Sequence, residues 1–307
     1  MSASTGDAVL PVSSTPAIAQ VERAGKNAKQ KLTSPWASLI AVVLAVVWTT
    51  PTFGLLVTSF RPTADIGDNG WWNIFTHPTF TLDNYRDALS SNSGGLGTNF
   101  INSIIITIPA VLIPIALASL AAYAFAWIDF KGRNLLFVCV FALQIVPIQV
   151  TLIPLLSLYV KLHLNGTFWT IWLSHTMFGL PLAIFLLHNF MKEIPRELIE
   201  AARMDGAGHI QIFFRVLMPL LKPALAAFGI FQFLWVWNDL LVALTFAGGT
   251  PDLAPLTVSL ANLSGTQGTA WQLLSAGAFI SIAIPVVVFI SLQRFFVRGL
   301  LAGGLKG

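Results

Sequence analysis

Long apolar runs separated by short polar stretches dominate the chain after residue 35. A transmembrane helix needs about 20 mostly apolar residues, because the hydrocarbon core is about 30 Å thick and a helix rises about 1.5 Å per residue. Six windows meet this requirement: Trp36–Phe60, Phe100–Ile128, Leu135–Val160, Phe168–Phe190, Pro223–Ala247 and Ala270–Phe296. They lack the alternation of barrel strands, so the pattern predicts an all-α polytopic membrane protein with six transmembrane helices.

Composition agrees with this pattern, and the charges orient it. Of the 307 residues, 55% are hydrophobic and 10% are charged, against roughly a quarter charged in soluble domains. The net charge of +4 does not indicate nucleic-acid binding, because the basic residues lie in short stretches between the windows. Cytoplasmic termini place 14 of the 17 Lys and Arg residues inside and leave Arg61, Arg86 and Lys161 outside. The positive-inside rule therefore predicts that both termini are cytoplasmic.

The polar segments divide the chain into a tail, a membrane domain and loops. Residues 1–35 are expected to form a flexible cytoplasmic tail, residues 36–298 the six-helix domain, and residues 299–307 a cytoplasmic C-terminal tail. The loop 61–99 is predicted to be external and to fold as a small cap. The loop 191–222 is predicted to be internal, and its dense patterning makes it the place to look for function.

Prolines interrupt the predicted spans at positions 51, 109, 114, 147, 154, 181 and 285. Proline kinks a helix and leaves a carbonyl of the preceding turn without its donor. In a membrane, that carbonyl must be satisfied by a neighbouring helix or lie against a lined cavity. The sequence therefore predicts kinked spans with additional contacts between helices.

The internal loop predicts two short helices joined by a sharp turn. From Glu193 it reads EIPRELIEAARMDGAGHIQIFFRVLMPLLKP, in which Pro195 suits a first helical turn. An apolar stripe marks the first helix: Leu198, Ile199, Ala201 and Ala202. Residues 205–208 should stop that helix, because glycine adopts the left-handed cap conformation at little cost. Another apolar stripe marks the second helix, before Pro219 ends it: Ile212, Phe213, Val216 and Leu217.

Two interpretations of this loop stay open on pattern alone. Small Ala201 and Ala202 beside the Gly206 turn would let another protein approach closely, and Glu200 offers it a charge. The loop would then be a docking site. The alternative is an amphipathic helix lying on the lipid headgroups, which the pattern favours equally.

The spacing in this loop resembles the EAA loop of binding-protein-dependent ABC importer permeases. Glu200-Ala201-Ala202 is followed by three residues, Gly206, nine residues and Val216-Leu217-Met218-Pro219, against the family pattern EAA, three residues, G, nine residues and I-x-L-P. Val216 and Met218 are conservative departures. Further stretches resemble the carbohydrate-uptake, maltose-permease-like branch: FTLDNYRDAL at 80–89, NSIIITIPA from Asn102, WVWNDLLVAL at 235–244 and QRFFVRGLLAGGLKG at the C-terminus.

This resemblance implies a fold, partners and a location. The fold is that of a type I ABC importer permease in the bacterial inner membrane. The partners are a second homologous permease, two ATPase subunits and an extracytoplasmic sugar-binding protein, with alpha-glucosides or related oligosaccharides as cargo. The resemblance assigns ATPase coupling to six residues: Glu200, Ala201, Ala202, Asp205, Gly206 and Pro219. ATP and Mg would be bound by the ATPase subunits, since this chain lacks the phosphate-binding G-x-x-x-x-G-K-[ST] pattern.

The fifth window holds the candidate residues of a substrate path. Asp239 is a carboxylate well inside a span, and Trp235 and Asn238 can share its helix face. Polar groups and aromatic faces together suit a sugar. The alternative is that Asp239 hydrogen-bonds neighbouring helices and fixes the bundle.

Other polar side chains in the windows are assigned structural roles. Gln144, His175 and His188 are predicted to make hydrogen bonds between helices rather than to bind a ligand. Cys139, the one cysteine, excludes an intrachain disulfide and is predicted to be small, buried and apolar in role. No catalytic residues and no metal ligands are predicted.

Alternative functions remain for the chain as a whole. An ABC permease for another solute, such as a glycerol phosphate, would share the coupling loop. An ion-coupled secondary transporter would need a relay of intramembrane carboxylates, of which the windows offer Asp239 and little else. A membrane scaffold without a substrate path is a third hypothesis.

Overall fold

A computed structural model describes residues 35–68, 70–90, 95–247, 250–266 and 271–304, and this part of the chain is helical. Thirteen helices are labelled here in chain order: α1 Pro35–Ser59, α2 Thr63–Asp68, α3 Asp83–Leu89, α4 Leu96–Trp127, α5 Arg133–Ala142, α6 Ile148–Lys161, α7 Trp169–Glu193, α8 Arg196–Met204, α9 His209–Leu220, α10 Lys222–Trp237, α11 Leu241–Ala247, α12 Leu256–Thr266 and α13 Trp271–Gly304. Short 3-10 turns cover Trp71–Phe75, Leu143–Ile145 and Pro251–Leu253. Two compact units divide the chain, residues 1–55 and 56–307.

Four helices in the described residues are long and apolar enough to cross a membrane: α1, α4, α7 and the part of α13 from Trp271 to Gln293. Two bent pairs raise the number to six if each pair counts as one span. The third predicted window is such a pair: its halves are Arg133–Ile145 and Ile148–Lys161, and the chain bends by 101° between them. The orientation of the termini stays a prediction.

The fifth predicted window is also interrupted. Helix α10 ends at Trp237, and α11 begins at Leu241. The second bent pair joins α9 to α10 at an angle of 72°. The prediction that Pro219 ends the second helix is wrong, because α9 continues to Leu220 and the chain bends after it. The turns before this proline, Ile212–Leu217, are π-helical, a widening that accommodates the proline's missing N–H.

Helices α4 and α7 form the centre of the second unit, and two proline-freed carbonyls of α4 are satisfied there as predicted. Pro109 leaves the Ile105 carbonyl without its helical donor, and the Trp172 indole N–H donates to it at 3.0 Å. Pro114 likewise frees the Ala110 carbonyl, which accepts from the Gln232 side-chain amide at 3.1 Å.

The last span has a proline-freed carbonyl that is satisfied in the same way. Pro285 frees the Ser281 carbonyl, and the Trp237 indole N–H donates to it at 3.0 Å. Close approach of the helices makes these bonds feasible: a Cβ at Gly179 would lie 2.7 Å from the Gln232 side-chain oxygen. The prolines therefore determine where each span requires a hydrogen-bond donor from its neighbour.

The predicted cap at 61–99 folds into helices in its described part. Buried Arg61 donates to the carbonyls of Gly70 and Asp65, and buried Asn84 donates to the carbonyls of Ser59 and Arg61. Helix α3 packs against α13. These contacts give the loop an ordered structure, while its external position stays a prediction.

Polar residues at the start of α4 hold the segment before α12. Asn99 and Asn102 donate to the Ala254 carbonyl at 2.7 and 3.2 Å, and Asn102 also donates to the Asp252 carbonyl at 2.8 Å. Part of the NSIIITIPA stretch therefore has a structural role at this end of the bundle.

The two predicted tails are described only in part. The N-terminal tail lies outside the described residues apart from Pro35, which begins α1. At the other end, α13 continues to Gly304, so residues 299–304 of the predicted C-terminal tail are helical.

Candidate functional site

The loop 191–222 forms two short helices that share a buried side. Ile199 of α8 is 2% exposed. Leu217 of α9 is fully buried, and Ile212 and Phe213 are buried beside it. These side chains pack with apolar residues of α4 and α7. The predicted apolar side of the second helix is confirmed. In the first helix, Leu198 and Ala201 are exposed, so the stripe narrows to Ile199 and Ala202.

The turn between the two helices is a Schellman motif. Asp205 is the last residue with near-helical backbone, and Gly206 follows with φ of +81°. The Gly206 N–H donates to the Arg203 carbonyl at 3.0 Å, and the Ala207 N–H donates to the Ala202 carbonyl at 2.9 Å. Glycine suits this left-handed position because a side chain would strain it. The predicted stop at Gly206 is confirmed.

The outer side of this loop is exposed over most of its surface. Glu200, Ala201, Asp205 and Gly206 are exposed, and Ala202 is half-buried. A Cβ built on Gly206 would meet nothing within 4 Å. Three large apolar side chains are also exposed around it: Met204, Ile210 and Phe214. Pro219 is exposed farther along, where α9 ends.

Charge is concentrated on one flank of the loop. Glu200 lines a small polar cavity together with four basic residues: Arg133, Lys192, Arg196 and Arg203. Arg133 is paired with Asp129 at 2.7 Å. Glu200 therefore lies in predominantly basic surroundings.

A hydrogen bond joins the loop to α4. The Tyr123 hydroxyl lies 2.7 Å from His209 Nδ1, and the Tyr123 ring packs edge-on against Phe213. Sequence reasoning missed both residues. The one available signal was a lone tyrosine near the end of an apolar span, which does not name its partner.

Asp239 occupies the break between α10 and α11 and acts as a helix cap. Its carboxylate accepts the backbone N–H groups of Val242 at 3.3 Å and Ala243 at 2.9 Å, and its carbonyl accepts from the Thr257 hydroxyl at 2.7 Å. His175 Nε2 lies 3.7 Å from the carboxylate, beyond hydrogen-bond distance. These contacts match the bundle-fixing alternative.

Of the other candidate path residues, Trp235 shares the neighbour His175 with Asp239, whereas Asn238 does not. The Trp235 ring packs edge-on against His175, with ring centroids 5.1 Å apart. Asn238 is exposed and donates to the Leu234 carbonyl at 2.8 Å. The cavity beside Asp239 has a volume of about 10 Å³, which is about one water molecule. The structure therefore does not bring Trp235, Asn238 and Asp239 together around a space that fits a sugar.

Two predicted structural roles in the third span are wrong. Cys139 is exposed on this chain rather than buried. Gln144 is exposed, and none of the described residues hydrogen-bonds to its amide. Phe137 and Val140 of the same helix pack against the core, so Cys139 lies on its outward side, which apolar composition alone could not indicate.

Comparisons with known proteins agree with the geometry. Residues 114–301 match the family model of the binding-protein-dependent transport system inner membrane component. The chain is 52% identical over 288 residues to the osmoprotective compounds uptake permease protein GgtD of Synechocystis, covering 91% of this chain and 96% of that protein. It is 48% identical over 262 residues to the alpha-glucoside transport system permease protein AglG of Rhizobium meliloti, covering 82% and 67%.

A solved structure supports the fold. A chain of a bacterial ABC transporter that imports the acidic polysaccharide alginate superposes with a TM-score of 0.72 at 21% identity, covering 87% of this chain and 98% of that one. The matched family segment includes the whole α8–turn–α9 loop and its anchors on α7. This chain belongs to the family of inner-membrane permease components of binding-protein-dependent transport systems.

Proposed function

We propose that this chain is the permease subunit of an ATP-driven sugar importer and that the α8–turn–α9 loop receives the movement of cytoplasmic ATPase subunits. The observation that carries the proposal is the form of this loop. Its buried side packs against α4 and α7, while Glu200, Ala201 and Gly206 are exposed on its outer side. A partner pressing on that side would move the spans directly.

The docking interpretation has more support than the headgroup alternative. A helix lying on lipid turns its apolar stripe toward the headgroups, but Ile212, Phe213 and Leu217 of α9 are buried in the protein. The exposed apolar side chains Ile210, Phe214 and Leu220 are available to a partner surface. The empty space around Gly206 and the small Ala201 side chain suit a closely fitting protein surface. We assign coupling to Glu200, Ala201, Ala202, Asp205, Gly206 and Pro219.

A permease subunit needs partner subunits to transport its cargo. A second homologous permease completes the translocation path, two ATPase subunits bind ATP and Mg, and an extracytoplasmic binding protein delivers the cargo. Relatives of this chain are named for uptake of osmoprotective compounds and alpha-glucosides. We propose an alpha-glucoside or a related oligosaccharide as cargo, with both termini of this chain in the cytoplasm.

Reconstitution tests this proposal. The chain would be co-purified with its second permease and ATPase subunits, inserted into proteoliposomes, and given the binding protein loaded with labelled maltose, trehalose or sucrose. Uptake should require ATP and Mg on the ATPase side and should be absent with an ion gradient alone. Uptake driven by the gradient without ATP would instead establish a secondary transporter.

A further inference from the structure

The third span breaks at its middle, beside a sizeable cavity. The break lies between the turn Leu143–Ile145 and α6, and the cavity has a volume of about 590 Å³. The middle of α7 forms its other wall, with Met177, Phe178 and Pro181. This volume falls within the range of about 300 to 1,000 Å³ that small-molecule sites occupy.

Two glutamine side chains at the break lack partners among the described residues. Gln144 and Gln149 both line the cavity and are exposed. No described residue hydrogen-bonds to either amide. An unpaired amide and a broken helix facing hydrocarbon would be costly, because lipid offers no hydrogen bonds. This side of the span therefore requires a polar environment at membrane depth.

Proline-freed backbone carbonyls lie at or near the same cavity: Met177 lines it, while Val150 is flanked in sequence by the lining residues Gln149 and Thr151. Pro154 and Pro181 line it, and these prolines cannot donate to the carbonyls of Val150 and Met177. Carbonyls freed by Pro109, Pro114 and Pro285 receive an indole or amide N–H from another helix. Among the described residues no side chain does so for Val150 or Met177. These two carbonyls can therefore accept a hydrogen bond from a ligand hydroxyl or from water.

The chemistry of the lining excludes charged ligands and favours hydroxyl groups. Amides, carbonyls and the Thr151 hydroxyl can exchange hydrogen bonds with hydroxyls, and Phe178 and Met177 can cover the apolar face of a sugar ring. The lining contains no Lys, Arg, His, Asp or Glu, so a carboxylate or phosphate would be buried without a counterion. This counts against a glycerol phosphate as cargo.

We propose that this cavity is a cargo subsite of the translocation path, in which Gln144 and Gln149 bind the hydroxyl groups of a neutral sugar. The proposal rests on the proposed function and assigns the path to the third-span break rather than to Asp239. The packed surroundings of Asp239 leave about 10 Å³, whereas the cavity at the break can hold a sugar ring.

Transport measurements provide the first test. In the reconstituted importer, the double substitution Gln144→Leu with Gln149→Leu should lower maltose, trehalose or sucrose uptake about tenfold, as expected for losing hydrogen bonds to the cargo. ATP hydrolysis stimulated by the loaded binding protein should persist, so sugar moved per ATP falls. The matched control, Gln144→Asn with Gln149→Asn, keeps the amides and should retain most uptake.

Cysteine accessibility provides a test that does not depend on transport rates. In a Cys139→Ser background, Gln144→Cys in the assembled importer should react with a charged, water-soluble thiol reagent, and cargo should slow the reaction. Val138→Cys, exposed but outside the cavity lining, should not react. No reaction at position 144 would mean that lipid or the second permease fills the cavity, and would overturn the proposal.

The two proposals fail in different ways. A wild-type importer that takes up none of these sugars with ATP contradicts the proposed function. Wild-type uptake that the double leucine substitution leaves unchanged contradicts the cavity assignment alone. Reaction at positions 138 and 144 with equal rates, unaffected by cargo, would also overturn the cavity assignment.

Discussion

The hydroxyl of Tyr123 in α4 lies 2.7 Å from Nδ1 of His209 in α9, and this bond joins a membrane span to the α8–turn–α9 loop. The Tyr123 ring also packs against Phe213, with ring centroids 5.4 Å apart. Movement of the loop would therefore reach α4 through a rigid aromatic contact and one hydrogen bond. The two components can be separated by mutation.

Tyr123→Phe is expected to lower sugar uptake per ATP a few-fold while the importer still assembles. The substitution keeps the ring against Phe213 but removes a hydrogen bond worth about 1 kcal/mol. Uptake and ATP hydrolysis in proteoliposomes measure this ratio. Tyr123→Ala, which removes the ring as well, should have the larger effect. Equal coupling in wild type and Tyr123→Phe would show that the bond is dispensable.

Gly206→Leu is expected to disrupt ATPase binding while membrane insertion survives. The left-handed backbone of Gly206 costs a branched residue about 1–2 kcal/mol, and the side chain would project into space that is empty in this chain. Gly206→Asn is the control for backbone strain, because asparagine tolerates this conformation. Co-purification of the ATPase subunits measures docking. Full ATPase recovery with Gly206→Leu would contradict a close-fitting partner.

Glu200→Lys should uncouple the importer more strongly than Glu200→Gln. Glu200 is exposed beside four basic residues, so lysine adds a repulsive positive charge, whereas glutamine only removes the negative one. Because exposed charges are screened by salt, raising the ionic strength should partly restore ATPase association to the lysine variant. Unchanged uptake and unchanged association in both variants would remove Glu200 from the docking surface.

Gln232→Met is expected to destabilise the bundle, and Pro114→Ala should restore much of that loss. The Gln232 amide donates to the Ala110 carbonyl and so replaces the N–H that Pro114 lacks. Leaving this buried carbonyl unpaired should cost about 1–3 kcal/mol. An alanine at position 114 provides the helical N–H again. Thermal unfolding of the four variants in detergent forms a double-mutant cycle, and strict additivity would contradict the relationship.

Asp239→Asn and Asp239→Leu distinguish the two roles of this residue. Asparagine still offers an oxygen to the N–H groups of Val242 and Ala243, so stability should be nearly unchanged. Leucine removes the cap, which should lower the free energy of unfolding by about 0.5–2 kcal/mol. If Asp239 only fixes the bundle, the asparagine variant should also transport at the wild-type rate. A stable Asp239→Asn protein with strongly reduced uptake would place Asp239 in the substrate path.

The sequence alone was sufficient for the features that depend on local chemistry. Apolar windows predict the spans, since any helix in lipid needs an apolar surface of that length. The stop at Gly206 follows from glycine's access to the left-handed conformation. The need for outside donors to the carbonyls of Ile105, Ala110 and Ser281 follows from prolines four residues later.

Only the tertiary structure decided which residues meet those requirements. Gln232 lies 122 residues from Ala110 in sequence, and windows that are apolar all round do not reveal which helix face turns toward a neighbour. For the same reason, Asp239 could not be identified as a cap, nor the Gln144 and Gln149 amides as the exposed pair. Their roles depend on where the spans break and how the helices pack, and non-local contacts determine both.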